Sequence, residues 1–436
     1  MDSRIIERTT CRVCGSPKLT PLFSLGTQAV SDFVPADKVH AGVQCPLDVV
    51  LCEGCTLVQL KHTAPQDFLY TRHYWYRSGV TQTMRDALAD VARAACERVN
   101  LKPGDVVLDI GSNDGTLLRF FPDDCVRVGV EPANNLATAE NYRGLTLIHD
   151  FWNSRSYFEV ATSSRAKALM SGIGHPRSDL AKIVTACGCF YDLEDPSAFI
   201  ADVAKVLHPE GVFIAQLMCL KQTLELRDVG NFAHEHLEFY SLKSLEHLFN
   251  AHGLMLYDVE ENEVNGGSYR LFVRHEGASV GAHDPHGPDY GRIRDALEAE
   301  YYLSHPEEYV TFVANLEINR KRCVDFIRSE VAKGKTVWVY GASTKGNVIL
   351  QYYGLGGAES GDYLITAAAD RSPEKVGLYT VGTGIPIVSE AEFRKAAPDY
   401  ALVLPYAFLP EFMEREAAWR ANGGRFLVPL PEFKVV

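Results

Sequence analysis

No stretch of the 436-residue chain strings together the roughly 20 apolar residues that a membrane-spanning helix needs. The opening Met1-Asp2-Ser3-Arg4 is polar and lacks the apolar core of a secretory signal. The cytoplasm is therefore the expected location, with no membrane partner. An excess of basic residues is also missing. Lys and Arg total 43 against 56 for Asp and Glu, a net charge of −13, which argues against a nucleic-acid footprint built on a basic face. Low-complexity tracts are absent, and a composition 46% hydrophobic and 23% charged is that of a globular protein. At this length two or three cores are expected, not one. Three familiar site patterns are lacking as well: G-x-G-x-x-G, a Walker loop with lysine after its last glycine, and H-E-x-x-H.

What is present is organised around Val106-Val107-Leu108-Asp109-Ile110-Gly111-Ser112-Asn113-Asp114-Gly115-Thr116. An apolar strand, Val106–Ile110, stops at Asp109 and Gly111, and after the turn a helix is expected to begin at Gly115. Such a turn offers bare amides and a positive dipole end. The carboxylates of Asp109 and Asp114 make it a poor pyrophosphate cradle but suit a cofactor with hydroxyls and a positive charge. Further strands are predicted at 127–131, 145–149, 183–186 and 212–216, with a helix over 196–207 that begins at a proline. This alternation predicts a doubly wound parallel sheet, with its ligands beyond the carboxyl ends of the strands. Glu131 then closes the second strand, where an acid accepts hydrogen bonds from both hydroxyls of a ribose. Asp150, after the third, is placed to accept from an adenine amino group, with Phe151 or Trp152 against the ring. Together these point to S-adenosylmethionine, with Asp109, Gly111, Asn113, Gly115, Glu131 and Asp150 as its contacts.

Eleven cysteines, an odd number in a chain of this kind, read as metal ligands plus buried thiols rather than as disulfides. Cys11-x-x-Cys14 and Cys52-x-x-Cys55 can offer four thiolates to one tetrahedral zinc, with Gly15 and Gly54 supplying the knuckle turns. Four thiolates leave no open position, so the zinc would be structural; four buried thiols that merely share the spacing are the alternative. Cys45 is expected in the core. The aromatic cluster Tyr70, His73, Tyr74, Trp75, Tyr76 suggests a lid or cleft wall, or packing between modules.

His234-Glu235-His236 follows the fifth predicted strand. Histidine is the side chain best poised to take a proton near neutral pH, and a nearby carboxylate raises its basicity. Metal binding or a structural histidine pair remain alternatives at this spacing. Asn265–Val273 reads as a turn into a strand, as an edge hairpin of the same sheet. From residue 283 to 333 the pattern is helical, with Leu297, Tyr301, Val310, Phe312, Leu316 and Val324 as the expected inner face. A second β–turn–helix unit, Val337–Val348, carries Ser343 and Lys345 where a diphosphate could meet helix amides.

Cys11–Cys55, VLDIGSNDGTLL, the HEH segment, GGSYR, YGASTKGN and ADRSPEKVG, taken in order, resemble the three-domain sugar C-methyltransferases that act on nucleotide-linked 4-keto-6-deoxyhexoses. The resemblance implies an α/β chain: a zinc-binding module (1–70), a class I methyltransferase domain with a Rossmann-like sheet (71–282), a helical connector (283–330) and a smaller Rossmann-like domain (331–436). It implies a methyl branch placed at C3. His236 would be the base, Glu235 would orient or polarise, and Tyr76 would contact the sugar. His234, Arg270, Ser343 and Lys345 fall on the acceptor side, the last two near the nucleotide diphosphate. A monomer is expected. The alternatives are an O- or N-methyltransferase on a related sugar nucleotide, or a binding protein without turnover. The chain departs from the family pattern at Ala233, Cys187-Gly188, Asp192 and Gly384, where tyrosine, Asn-Asn, histidine and histidine are usual. The segment between Phe151 and Lys182 is also atypical.

Overall fold

The computed structural model describes residues 3–71, 73–161, 178–278, 289–357 and 363–436. Most of the atypical segment, residues 162–177, and the start of the connector, 283–288, lie outside the described residues.

The N-terminal module is an antiparallel sheet of β1 (Leu19–Ala29), β2 (Gln44–Cys52) and β3 (Val58–Leu60). A fourth strand joins it from far along the chain: Glu238–Phe239 pairs antiparallel with Val58 and Gln59. The chain leaves the module through a π-helical turn, Asp67–Thr71, and helix α1 (Gln82–Arg98), which the Thr81 hydroxyl caps. In the connector between them the expected aromatic wall is tied to every part of the molecule. Trp75 Nε1 donates to Asp32 at 2.9 Å, and Tyr74 exchanges hydrogen bonds with Asn135. His73 and Arg77 both reach Glu374, at 3.2 and 3.3 Å.

The central sheet holds β4 (Val106–Ile110), β5 (Val126–Val130), β6 (Thr146–Ile148), β7 (Ala181–Cys187), β8 (Leu207–Met218), β9 (Leu254–Asn262) and β10 (Ser268–His275). Their order is β9-β10-β8-β7-β4-β5-β6, parallel from β8 to β6 and antiparallel at β9 and β10. All five residues of β4 are buried, as expected for a strand covered on both faces. The chain order reverses between β4 and β7, and the crevice beyond their carboxyl ends is where such sheets bind ligands. Helix α2 (Pro196–Val206) starts on Pro196, with Asp195 as cap. The segment 265–273 forms the expected edge hairpin: β10 pairs antiparallel with the edge strand β9 and, on its other side, with β8, where Val273 to Ser268 meet Phe213 to Met218.

Helix α3 (Pro306–Ala332) leads to the C-terminal sheet. Its buried face is Tyr309, Phe312, Leu316, Asn319, Cys323, Val324 and Ile327. Tyr301 and Val310, placed on the inner face by sequence, are 72% and 66% exposed. The helix begins at Pro306, so Tyr301 belongs to a separate turn and the i, i+3/i+4 phase restarts at Tyr309. The C-terminal sheet runs Ile387–Ser389, Ala368–Asp370, Val337–Tyr340, Tyr400–Val403, Arg425–Val428, all parallel, closed by antiparallel Lys434–Val435. No helix among the described residues is long and apolar enough to cross a membrane.

Candidate active site

The four Sγ atoms of Cys11, Cys14, Cys52 and Cys55 lie within 4.8 Å of one another. Cys11 and Cys55 approach to 3.5 Å, as do Cys14 and Cys52, and all four are free thiols. Tetrahedral zinc with bonds of about 2.3 Å separates its sulfurs by about 3.8 Å, so the cluster fits the ion. The Gly54 amide also points at Cys52 Sγ, at 3.3 Å. Gly15 takes φ +69°, as a knuckle turn needs, but Gly54 has neither a left-handed φ nor a tight approach: a Cβ there would meet Cys14 Sγ at 3.4 Å, an ordinary contact. The left-handed residue of the second knuckle is Thr56. Cys45 is fully buried away from the cluster, in a separate apolar group with Val30, Ala64 and Leu69.

This module anchors the HEH segment. Leu60 donates its amide to the Leu237 carbonyl at 3.0 Å, and the Leu237 and Glu238 amides both donate to Tyr191, at 2.8 and 3.1 Å. Arg12, 4% exposed, braces the junction through Gln59, Thr63 and Glu194.

A cavity of about 700 Å³ opens between the three sheets. At one end are the glycine turn and the end of β5. Gly111, at φ +69°, passes so close to Cys189 that a Cβ would come within 2.9 Å of its sulfur. Glu131 Oε2 accepts the Asn113 amide and Oε1 the Ala133 amide, both at 2.8 Å. Burial pushes this carboxyl up to about 7, against those two amides. Asn113, at φ +53°, also reaches outward: Nδ2 donates to the Tyr76 carbonyl and Oδ1 accepts the Ser78 amide. Gly111, Asn113, Glu131 and Tyr76 line the cavity.

His236 lines the middle. Its Nδ1 donates to the Asn231 carbonyl at 2.7 Å, and Tyr191 packs edge-on with ring centroids 4.8 Å apart. A carbonyl can only accept, so Nδ1 carries the hydrogen and Nε2 holds the free lone pair. Burial, and secondarily the charge of Lys345, push the imidazole down to about 3, so it is neutral at physiological pH. Glu235 lies alongside; burial raises its carboxyl to about 7 against a hydrogen bond from Thr344. Ser343 caps the helix Thr344–Tyr353 by accepting the Gly346 amide at 3.0 Å. Lys345 Nζ stands 3.4 Å from Asp228, and both line the far end.

The other predicted contacts differ from expectation. Asp109 lies beneath the cavity floor, 2% exposed, its carboxylate accepting from Thr185 at 2.7 Å; burial raises it to about 7. Gly115 turns against Asn141 and Leu145, away from the lining. Asp150 accepts from the Phe151 amide and from Ser156 at the start of the next helix, while Phe151, Trp152 and Asn153 face the cavity. His234 is buried toward the N-terminal sheet, Nε2 donating to the Cys45 carbonyl at 2.9 Å. Extended backbone sends residues 234 and 236 to one face, but the turn closed by the His236 amide on the Ala233 carbonyl separates them. Arg270 is not in the cavity lining; it is held by ion pairs with Asp90 and Glu260 and donates to Gln216, which lines the cavity. Sequence reasoning missed Tyr191, Gln216, Asp228 and Tyr406 in the lining and marked Asp192 only as a departure from the family's usual histidine. Tyr191, Asp192, Gln216 and Tyr406 lie at or just after the carboxyl ends of predicted strands, whereas Asp228 follows a short helix, Leu220–Glu225.

Three family descriptions match in succession: a "putative zinc binding domain" over residues 11–70, a methyltransferase domain over 76–259 and a C-methyltransferase C-terminal domain over 263–431. The chain is 33% identical over 429 residues to C-methyltransferase NovU of Streptomyces niveus, covering 98% of this chain and 96% of that protein. Two solved structures also resemble it. One is a S-adenosylmethionine-dependent methyltransferase from Clostridium acetobutylicum ATCC 824 (15% identity, TM-score 0.32, 44% of this chain and 92% of that one). The other is magnesium protoporphyrin IX methyltransferase from Synechocystis PCC 6803 (13%, TM-score 0.30, 44% and 79%).

Proposed function

The chain belongs to the three-domain C-methyltransferase family that includes NovU, and from that premise we propose that it places a methyl branch at C3 of a nucleotide-linked 4-keto-deoxysugar. It is an S-adenosylmethionine-dependent methyltransferase with a zinc-binding N-terminal module. The observation that carries the acceptor reading is His236: a neutral imidazole, with its tautomer fixed, in the wall of a cavity that also contains the glycine turn.

Bound S-adenosylmethionine supplies an electrophilic methyl on a sulfonium leaving group. Glu131 would hold the ribose hydroxyls through its remaining lone pairs, and the Gly111–Asn113 turn would take the neighbouring polar groups. Asp109 acts indirectly, tying β4 to β7 through Thr185 beneath the turn. On the acceptor side, a ketone acidifies the adjacent C–H, and His236 Nε2 takes that proton. The C–H electron pair passes into the enolate; its carbon then attacks the methyl, and the ketone re-forms. Proton transfer by a positioned histidine contributes about 10²–10⁴-fold, and alignment in a closed cavity supplies the rest. Glu235 orients the segment beside the base, and Tyr76 contacts the sugar. Ser343 and Lys345, at a helix N-terminus, sit where a diphosphate gains amides and a cation. The zinc module's task is positional: its β3 strand carries Glu238–Phe239 and hence His236.

The test is hydrogen exchange. Incubated in deuterated buffer with a dTDP-linked 4-keto-6-deoxyhexose and no methyl donor, the protein should exchange the C3 hydrogen. An O- or N-methyltransferase has no need of an enolate, and an unexchanged C3 would favour it.

A further inference from the structure

Seven acids line the cavity, and all but one have an evident task. Glu131 accepts two backbone amides, Glu194 pairs with Arg8 and Arg12, and Asp195 caps α2. Asp202 holds Ser154 and Lys205, Asp228 faces Lys345, and Glu235 meets Thr344. The exception is Asp192. Its Oδ1 is buried and meets no hydrogen-bond partner among the described residues.

Asp192 sits in the turn after β7, its amide bonded to the Cys189 carbonyl at 3.3 Å. The preceding residue, Tyr191, joins this turn to the HEH segment: its carbonyl accepts from Leu237 and Glu238 while its ring stands against His236. Asp192 and His236 are therefore fixed relative to each other by short, rigid connections, in one cavity. The groups that interact with Asp192 are Tyr70 of the π-turn, Tyr74 of the connector, Cys189 and Tyr191 of its own turn, and Glu235 and Glu238 opposite. None of these described groups is a cation, and Lys345, the lysine among the described lining residues, already faces Asp228. Burial first, then the neighbouring carboxylates, hold the Asp192 proton well above the usual carboxylate range. An acid that keeps its proton is a hydrogen-bond donor, and in an apolar site it can serve an oxyanion.

We propose that Asp192 is a further catalytic residue, donating a hydrogen bond from its carboxyl to the carbonyl oxygen of the acceptor. The proposal rests on the enolate chemistry put forward above. As His236 removes the carbon-bound proton, negative charge gathers on that oxygen, and the Asp192 O–H bond to it shortens without transferring its proton. When the carbon takes the methyl, the carbonyl returns and the hydrogen bond relaxes. No electron or proton is left over: the imidazolium keeps the abstracted proton until solvent removes it.

The experiment compares wild type, D192N and D192A, all shown to be folded by thermal melting. C3–H exchange and methyl transfer are measured with a dTDP-linked 4-keto-6-deoxyhexose, and the protonated-carboxyl band by difference infrared spectroscopy. D192A should lose about 10²-fold in kcat with little change in KM, as for loss of one oxyanion donor. D192N, whose amide still donates, should recover much of that loss. It should also lack the alkaline fall in rate that wild type shows as Asp192 ionises. The infrared band should be present in wild type near neutral pH and reduced in D192N. An unchanged band, or exchange by D192A at the wild-type rate, overturns the proposal while leaving the enolate reading intact. Wild type that exchanges nothing overturns that reading and the proposal with it.

Discussion

His236 Nδ1 donates to the backbone carbonyl of Asn231 at 2.7 Å, and this one bond decides which ring nitrogen can act as a base. A carboxylate partner would raise the ring's basicity and draw charge onto it; a carbonyl fixes the tautomer and leaves the imidazole neutral. Substituting His236→Asn should therefore lower methyl transfer by about 10²–10⁴-fold. S-adenosylhomocysteine binding, followed by calorimetry, should stay close to wild type. Full activity in H236N would move the base elsewhere.

The pH dependence of that base has a definite sign. The neutral form is the active one, and burial holds the ring at about 3, so acid inactivation by this group lies near pH 3 rather than near the ordinary 6.5. Single-turnover rates at saturating substrates should show no inflection assignable to His236 between pH 5.5 and 7.5, a window on the order of the unperturbed range. An inflection there that vanishes in H236N would contradict the assignment.

Donor affinity should titrate instead. Glu131 is held at about 7, and only its ionised form offers the full set of acceptors. Affinity for S-adenosylhomocysteine should rise as pH increases through about 7. In E131Q it should be flat and lower by about 10- to 100-fold, the loss expected for a hydrogen bond to a charged group. Equal slopes in both proteins would remove Glu131 from the ribose.

Asn113 should matter to both substrates, since its side chain ties the donor turn to Tyr76 and Ser78. Glycine keeps the φ of +53° and deletes the clamp together with a local bond from the Asp114 amide to Asn113 Oδ1 at 3.0 Å, so N113G is the fair test. The loss of these neutral hydrogen bonds predicts KM values raised by about tenfold for donor and acceptor alike. If the donor KM alone moves, the turn and the Tyr76 connector are independent.

Metal analysis should find about one zinc per chain for a four-thiolate site. Cys11→Ser or Cys52→Ser should lose it and lower the Tm, whereas Cys45→Ala should keep it. Zinc retained in both serine variants would mean another ligand set.

Much of the framework could be read directly. The strand Val106–Ile110 has the predicted bounds, because a run buried on both faces leaves an uninterrupted apolar signature. The α2 bounds follow from Asp195 and Pro196, a cap and a first-turn proline. Elsewhere the local pattern was silent. β8 starts at Leu207, five residues before the predicted strand, because His208, Pro209 and Glu210 are exposed or half-buried and, with Gly211, break the apolar run. The α3 face was phased from Tyr301, which precedes a helix start that Pro306 signals. In the site, the glycine turn, Glu131 and His236 were legible: the first two stand at the ends of the first two predicted strands and His236 comes after the fifth, so the rule that ligands lie beyond the strand ends pointed all three toward the cavity that they line. His234, Asp150 and Arg270 were not, because their positions depend on partners 189, 6 and 180 residues away: Cys45, Ser156 and Asp90. Tyr191 carries no motif, and Asp192 was marked only as a departure from the family's histidine; the long-range bonds from residues 237 and 238 to the Tyr191 carbonyl bring their turn beside His236.

The central claim is that the methyl goes to carbon. The most direct measurement supplies S-adenosylmethionine labelled with carbon-13 at its methyl, together with a dTDP-linked 4-keto-6-deoxyhexose, and follows the label by carbon–carbon NMR correlation. The account predicts a product methyl bonded to C3 of the sugar, with loss of the C3 hydrogen. A label found on oxygen or nitrogen, or none transferred although exchange at C3 proceeds, would contradict it.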